Sequence, residues 1–348
     1  MRVGVLTGGG DCPGLNAVLR AIVRKGTRVH GDEIVGFLDG YQGVVDQRSI
    51  PLDVSALRGK LPIGGTILGT SRYQPFMDDD GVDRVRAAMN DLGIDALIAI
   101  GGEGTLGCAR DLAALGFPII GVPKTIDNDL AGTEMTFGFQ TAVQICTDAI
   151  DRLHTTAESH DRVMVVEVMG RHAGHIAVWA GIAGGATVTL IPEEPFDIEG
   201  VCEAILRRHQ AGRFASIVVV AEGATPQPGT LILPEPEVDE YGHERLGGIG
   251  TTIGGEIERR TGYETRVTIL GHVQRGGTPS PLDRVIASAF GVNAVDLIAK
   301  ERFNRMVTWQ RRAVVDIRIA DAIASYASVD PNGALVATAR GLGVCLGD

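Results

Sequence analysis

Short apolar runs alternate with amphipathic segments along most of the chain. RVGVL reads as a buried strand, and NAVLRAIVRKGTR after it repeats its apolar residues at helical spacing. EIVGFLDG, DALIAIGG and FPIIGVP read as further strands, with amphipathic VDRVRAAMNDLG and GTLGCARDLAALG among them. The alternation then begins again. FQTAVQICTDAIDRLHTTAESH reads as a long helix, followed by strands RVMVVEV, TVTLIPE and ASIVVVAEG with helices HAGHIAVWAGIAG and IEGVCEAILRRHQAG between them. Strands alternating with helices of about a dozen residues predict βαβ units and mostly parallel sheets. The reading is therefore α/β, in two lobes of similar size without a residue-level repeat. Between Gly223 and Gly255 a Pro/Gly-rich acidic stretch, TPQPGTLILPEPEVDEYGHERLGG, reads as a long loop or hairpin insertion. The last twenty or so residues read as a loosely packed tail.

Composition narrows what such lobes can do. A length of 348 residues fits two domains, and 44% hydrophobic with 22% charged residues is ordinary for a soluble globular protein. The 48 glycines are about twice the usual share and fall in short clusters, as tight strand-to-helix turns require. A formal net charge of −11 argues against a nucleic-acid partner or an anionic membrane surface, so any phosphate recognition has to be local. The five cysteines are scattered without a CxxC pair and read as free thiols in a reducing compartment, which points to the cytoplasm. MRVGVLTGGG is too soon broken by glycine for a signal peptide, and no apolar run nears membrane-spanning length.

In open parallel sheets ligands sit at the carboxyl ends of the strands. GGGDCPG, GGEGT and PKTIDND all fall there. TGGGDCPG can form an anion nest at a helix start, although Pro13 spoils a strict GxGxxG and a plain tight turn fits it as well. In IAIGGEGTLGCARDL, Gly101, Gly102 and Gly104 permit phosphate approach, Thr105 can donate from the helix start, and Glu103 could hold Mg2+ through water. An acid at a helix start is also an ordinary stabilising feature, and the same short motif suits NAD kinase and lipid kinases. PKTIDND sets Lys124, Asp127 and Asp129 just past an apolar run. A carboxylate there can accept a hydroxyl proton during phosphoryl transfer, or the stretch is an Asx-rich turn. VVEVMGRHAGH carries Arg171, and its His172 and His175 lack the HExxH pattern and a third nearby ligand that zinc would want. ETRVTILGHVQRGGTPSPLDR supplies Arg266, His272 and Arg275. Guanidinium forks suit phosphate, while single surface arginines more often serve solubility.

Together these segments resemble the phosphofructokinase family. LTGGGDCPGLNAVLR, GGTILGTSR, DALIAIGGEGT, GVPKTIDNDLAGTEMTFGFQTA, DRVMVVEVMGR and ETRVTILGHVQRGGTPSPLDR are similar to its characteristic blocks, in order, from residue 1 to about 300 apart from the insertion. The resemblance implies two Rossmann-like three-layer lobes with an active site in the cleft between them. Residues 1–138 plus about 274–320 would form the larger, nucleotide-binding lobe, and 139–273 plus about 321–348 the smaller, sugar-phosphate lobe. It implies a homotetramer that phosphorylates fructose 6-phosphate at its 1-hydroxyl. Asp127 would be the general base, with Thr125 and Asp129 beside it, and Arg171 would stabilise the transferred group. Gly10, Arg72, Tyr73, Gly102, Gly104 and Thr105 would line ATP, with Glu103 on Mg2+. Met169, Gly170, Glu222, His272 and Arg275 would hold the sugar phosphate, and Arg162 and Arg266 would reach it from a neighbouring subunit.

The chain departs from the family's common pattern at three places. Glu103 stands where the commonest ATP enzymes carry Asp. Pyrophosphate-dependent members typically carry Asp at the Gly104 position and Lys at the Lys124 position, whereas typical bacterial ATP enzymes have Gly at both; this chain mixes the two. An Asp at 104 would push volume and charge into the α-phosphate's space, so Gly104 favours ATP as donor, with pyrophosphate as the alternative. The familiar bacterial effector site reads as eroded: Arg20 and Arg24 remain, but His154, the AGRFAS turn and Thr187 replace its arginine, lysines and acid. Control by ADP or phosphoenolpyruvate of the familiar kind is therefore not expected.

Overall fold

β-Branched and aliphatic runs too short for a buried helix form the strands of the computed structural model, which describes residues 1–232, 237–238 and 244–348. In chain order these are β1 (Arg2–Thr7), β2 (Glu33–Phe37), β3 (Ser49–Leu52), β4 (Ala96–Gly101), β5 (Ile119–Thr125), β6 (Phe137–Gly138) and β7 (Val163–Val168). Then come β8 (Val188–Leu190), β9 (Ser216–Ala221), β10 (Glu237–Val238), β11 (Glu244–Arg245), β12 (Thr265–Ile269), β13 (Arg305–Gln310) and β14 (Ala313–Arg318). The chain divides into two compact units, Met1–Thr141 with Arg275–Ala327 and Ala142–Gln274 with Ser328–Asp348.

The first unit holds a sheet in the order β14-β13-β5-β4-β1-β2-β3, with β6 added beside β5. Its centre is parallel, and β3 and β14 close the two edges antiparallel. β4 is buried along its whole length, as a strand covered by helices on both faces must be. β14 alternates between partly buried and exposed positions, the pattern of an edge. Close layering sets one glycine: a Cβ on Gly4 would fall 2.6 Å from the Phe37 ring and 2.7 Å from Leu97.

The second unit is a four-stranded parallel sheet, β12-β7-β9-β8, flanked by helices that include His175–Ala183, Ile198–Gln210 and Ile249–Thr261. The C-terminal segment is not the loose tail that its composition predicts. It forms the helix Ala334–Gly341 and then runs beside β8, where Cys345 exchanges backbone hydrogen bonds with Thr187 and Thr189 at 3.0 and 2.9 Å. Leu346 is 1% exposed, and Arg340 pairs with Glu194 at 2.6 Å. Burial of Val336, Val344 and Leu346 holds this segment in place. The predicted insertion falls largely outside the described residues; within them, β10 and β11 pair antiparallel. No helix among the described residues is long and apolar enough to cross a membrane.

One core group of this unit links fold to pH. His209 is buried, its ring centroid 3.7 Å from that of Tyr263 and 5.9 Å from that of Phe214. Burial lowers its pKa, the Arg208 charge adds to that, and Asp161 opposes it. The unfolded chain, with a His pKa of about 6.5, takes up the proton first, so stability is lost as pH falls through that value. Urea midpoints at about pH 7.5 and about pH 5.5 should show this loss, and His209→Phe should make the drop shallower. An equal drop in the variant would remove His209 as its cause.

Candidate active site

Because β1, β4 and β5 are neighbours in one parallel sheet, the loops at their carboxyl ends come together. The first is Gly8–Gly10, where the Gly8 N–H donates to the Ile100 carbonyl at 2.9 Å and the Gly9 N–H to the Ser71 carbonyl at 2.9 Å. The second opens the helix Glu103–Ala114, whose N-cap is Gly102 with no side-chain cap. Backbone N–H groups of its first turn are thus left to meet an anion. Buried Thr105 fills the gap between the loops: a Cβ would come within 2.6 Å of its hydroxyl at Gly8 and 2.3 Å of its Cβ at Gly101. Gly104 faces outward, and the nearest neighbour a Cβ would meet there is the Gln74 amide nitrogen at 3.3 Å.

Lys124 lies at the end of β5 and is 3% exposed. Its Nζ donates to the Gly10 carbonyl, and a Cβ on Gly9 would lie 3.7 Å from it. Burial lowers the Lys124 pKa, and the charge of Arg275 lowers it further while Cys12, Asp11 and Asp127 oppose. The Arg275 guanidinium rests against the same loop, for a Cβ on Gly10 would overlap its Nη1 at 1.8 Å. The glycine loop is therefore backed by Lys124, with the Arg275 guanidinium beside it. Arg72 is exposed on the segment before Tyr73. Tyr73 donates its hydroxyl to Asp78 at 2.6 Å; burial pushes that hydroxyl up to about 12, and Asp78 adds to the shift.

The third loop carries Thr125, Asp127 and Asp129. Asp127 is 7% exposed, and its N–H donates to the Thr125 hydroxyl at 3.0 Å. Asn128 adopts a left-handed φ of 54°. Its Oδ1 accepts from the Thr136 N–H at 2.8 Å, and the Thr136 hydroxyl donates to the Thr125 carbonyl at 2.8 Å. Asn128 was not singled out in the sequence. The signal was there, since Asn is the side chain best suited to a left-handed turn that also bonds locally.

The second unit sets out its residues at the ends of β7, β9 and β12. After β7, Met169 is buried, Gly170 has φ 142° and Arg171 φ 49°. Glu222 follows β9, and its Oε1 accepts from the Arg171 N–H at 3.2 Å. A Cβ on Gly223 would strike the Arg171 carbonyl at 1.9 Å, so glycine is required there for the backbones to touch. Gln274, 0% exposed, accepts from the Met169 N–H at 3.2 Å and from the Cys146 thiol at 3.1 Å, and donates to the Gly271 carbonyl at 3.1 Å. It ties the strand end to the short turn that carries His272, which is exposed. Buried Glu167 accepts from the N–H groups of Gly248 and Gly250 at 2.9 and 2.8 Å, capping the helix Ile249–Thr261. Arg162, just before β7, and Arg266, on β12, share one acid, Glu264: Arg162 at 2.8 Å, and Arg266 on the same oxygen. The two guanidiniums hold the Glu264 carboxyl below its usual range, Arg162 most strongly. No local sequence pattern marks Gln274, Glu167 or Glu264 as part of these contacts.

A family profile described as Phosphofructokinase matches residues 2–298 of this chain. The chain belongs to that family. Among relatives of this phosphofructokinase, a Streptomyces coelicolor protein named pyrophosphate–fructose 6-phosphate 1-phosphotransferase is 56% identical over 332 residues, covering 95% of this chain and 97% of its own. Another from Streptomyces coelicolor, named ATP-dependent 6-phosphofructokinase 3, is 51% identical over 329 residues, covering 94% and 96%. The structure of Pichia pastoris phosphofructokinase in the T-state superposes with a TM-score of 0.82 at 31% identity, over 93% of this chain and 35% of that one. The two-lobed phosphofructokinase fold is thus shown. The phosphofructokinase also carries a cavity of about 280 Å³ lined by Arg20, Arg24, Arg28 and Arg58 with Val54 and Leu57. Arg20 and Arg24 stand out in the sequence, and Arg28 and Arg58 join them only in the fold. Repulsion from Arg28, then Arg20, lowers the pKa of Arg24.

Mg2+ is implied by the family. Among the described residues no group of three or more His, Cys, Asp or Glu side chains forms a dedicated cage. What the first unit offers is carboxylate oxygen, from Glu103 at the helix mouth and Asp129 in the third loop. That donor set fits a hard cation that keeps several waters and takes its other ligands from phosphates.

Proposed function

We propose that this phosphofructokinase transfers the γ-phosphoryl group of ATP to the 1-hydroxyl of fructose 6-phosphate, giving fructose 1,6-bisphosphate and ADP. The observation that carries the donor is the space at Gly104, which would admit an α-phosphate and which an aspartate would fill with like charge. Asp127 accepts the proton of the 1-hydroxyl as its oxygen bonds to the γ-phosphorus and the bond to the β-phosphate breaks. Arg171 meets the charge developing on the transferred group, and Arg72 bridges the phosphates. Gly10, Gly102, Gly104 and Thr105 line the nucleotide, with Tyr73 at its edge. Mg2+, when bound, neutralises charge on the β- and γ-phosphates; Glu103 and Asp129 would hold it. Met169, Gly170, Glu222, His272 and Arg275 hold the sugar phosphate, joined in a homotetramer by Arg162 and Arg266 of a neighbouring subunit. The protein acts in the cytoplasm, as a glycolytic step.

Pyrophosphate is the second reading, favoured by one observation: the buried cation of Lys124 on the Gly10 carbonyl. Assays with fructose 6-phosphate and each donor separate the two. ATP should support turnover, and Gly104→Asp should cut kcat/KM for ATP by roughly 100-fold, about the cost of placing one unpaired like charge against a phosphate. Turnover of the wild type with pyrophosphate alone would overturn the donor.

A further inference from the structure

Glu103 is one methylene longer than the Asp usual at its position, and the structure shows where the extra reach goes. Its Oε2 accepts a hydrogen bond from the Tyr326 hydroxyl at 2.7 Å, across 223 residues of sequence. Tyr326 is not held by that bond alone. Its backbone forms an antiparallel bridge with buried Leu130, and the next residue, Ala327, donates its N–H to the Asp129 carbonyl at 2.8 Å. One dipeptide therefore contacts both acids that would carry Mg2+: it fixes the backbone at Asp129 and the side chain at Glu103.

A glutamate at an exposed helix start otherwise spreads over many rotamers, and ordering it for a ligand has an entropic cost. The phenol selects one rotamer before the ligand arrives. Aspartate could not make this contact, because its carboxylate would retract by roughly one carbon–carbon bond, about 1.5 Å, beyond hydrogen-bond reach. Glu103 and Tyr326 are thus a matched pair.

We propose that Tyr326 is a positioning residue for the metal-bound donor: it holds the Glu103 carboxylate in the orientation that receives the cation on the donor's phosphates. The proposal rests on the assignment of Glu103 to the metal in the reaction above.

The test is a double-mutant cycle of Tyr326→Phe and Glu103→Asp. Mn2+·ATP binding is read by the enhancement of water-proton relaxation when the complex joins the protein, and the Mg2+ dependence of turnover is read alongside. Tyr326→Phe should weaken Mn2+·ATP binding and raise the Mg2+ requirement by about three- to tenfold, the range for one hydrogen bond, with a smaller change in kcat at saturating metal. In the Glu103→Asp background the same substitution should add nothing. Wild-type affinity in Tyr326→Phe overturns the proposal. An equal loss in both backgrounds also overturns it, because the hydroxyl would then act otherwise than through the Glu103 carboxylate. If the wild type uses pyrophosphate and not ATP, the donor reading fails by itself, and the same cycle with Mn2+·pyrophosphate decides on Tyr326.

Discussion

Replacing Asp127 by serine is expected to lower kcat by roughly 10²- to 10⁴-fold, the usual contribution of a positioned general base. Three anchors of the loop do not use the Asp127 side chain: the Asp127 N–H on the Thr125 hydroxyl, the Asn128 amide on Thr136, and the Ala327 N–H on the Asp129 carbonyl. All three remain possible in the variant. The unfolding free energy should therefore move by less than about 1 kcal/mol and the KM for fructose 6-phosphate only slightly. Steady-state kinetics with both substrates, together with a urea midpoint, checks this. Turnover within threefold of wild type would end the assignment of Asp127 as base.

That a charged loop belonged after β5 was visible in the residues, because a buried apolar run ending in a knot of charge is an uncommon pattern. The strands of both sheet centres were visible for a related reason: strands covered on both faces are continuous Val/Ile/Leu runs. The edges were harder. β13 and β14 form a hairpin that went unseen because its turn is Arg311-Arg312, both at left-handed φ of 50° and 65°, where Asn-Gly would have announced it. β3 holds a proline and only four residues, which reads as loop. The polar positions that shape the site were hidden by distance along the chain. Gln274 reaches Met169 over 105 residues and Glu167 reaches Gly250 over 83, and local pattern carries no trace of such pairs. Tyr326 is the extreme case: its neighbours in sequence are small and unremarkable, and only the folded chain brings it to Glu103.

Those long-range polar contacts also suggest how a mixed donor signature is tolerated. Lys124 is buried and donates to the Gly10 carbonyl, so its charge is set back from the exposed helix start where Gly104 lies. In the proposed reaction the two positions would act on different parts of a donor: Lys124 on the transferred end, which ATP and pyrophosphate share, and Gly104 on the part that only ATP possesses.

Arg171 should give the second large effect, and in a form that separates chemistry from folding. Its φ of 49° places a long side chain in the left-handed region, at a cost of order 1–2 kcal/mol, and the strain sits at the end of β7 against Glu222 and Gly223. Strain kept at such a position is expected where the side chain is needed for the reaction. Arg171→Lys leaves the backbone and the N–H bond to Glu222 in place but exchanges a planar fork for a point charge. It should lower kcat by about 10²-fold or more, and Arg171→Gly by about 10³-fold or more, in line with what an arginine on a transferred phosphoryl group contributes. Glycine also removes the strain, so Arg171→Gly should be as stable as wild type or more stable, by up to about 1 kcal/mol. A nearly inactive variant that unfolds at higher urea than its parent is therefore the expected outcome. An active Arg171→Gly would mean that the guanidinium does not touch the reaction, and an inactive but unstable one would mean that the left-handed turn depends on contacts of the side chain.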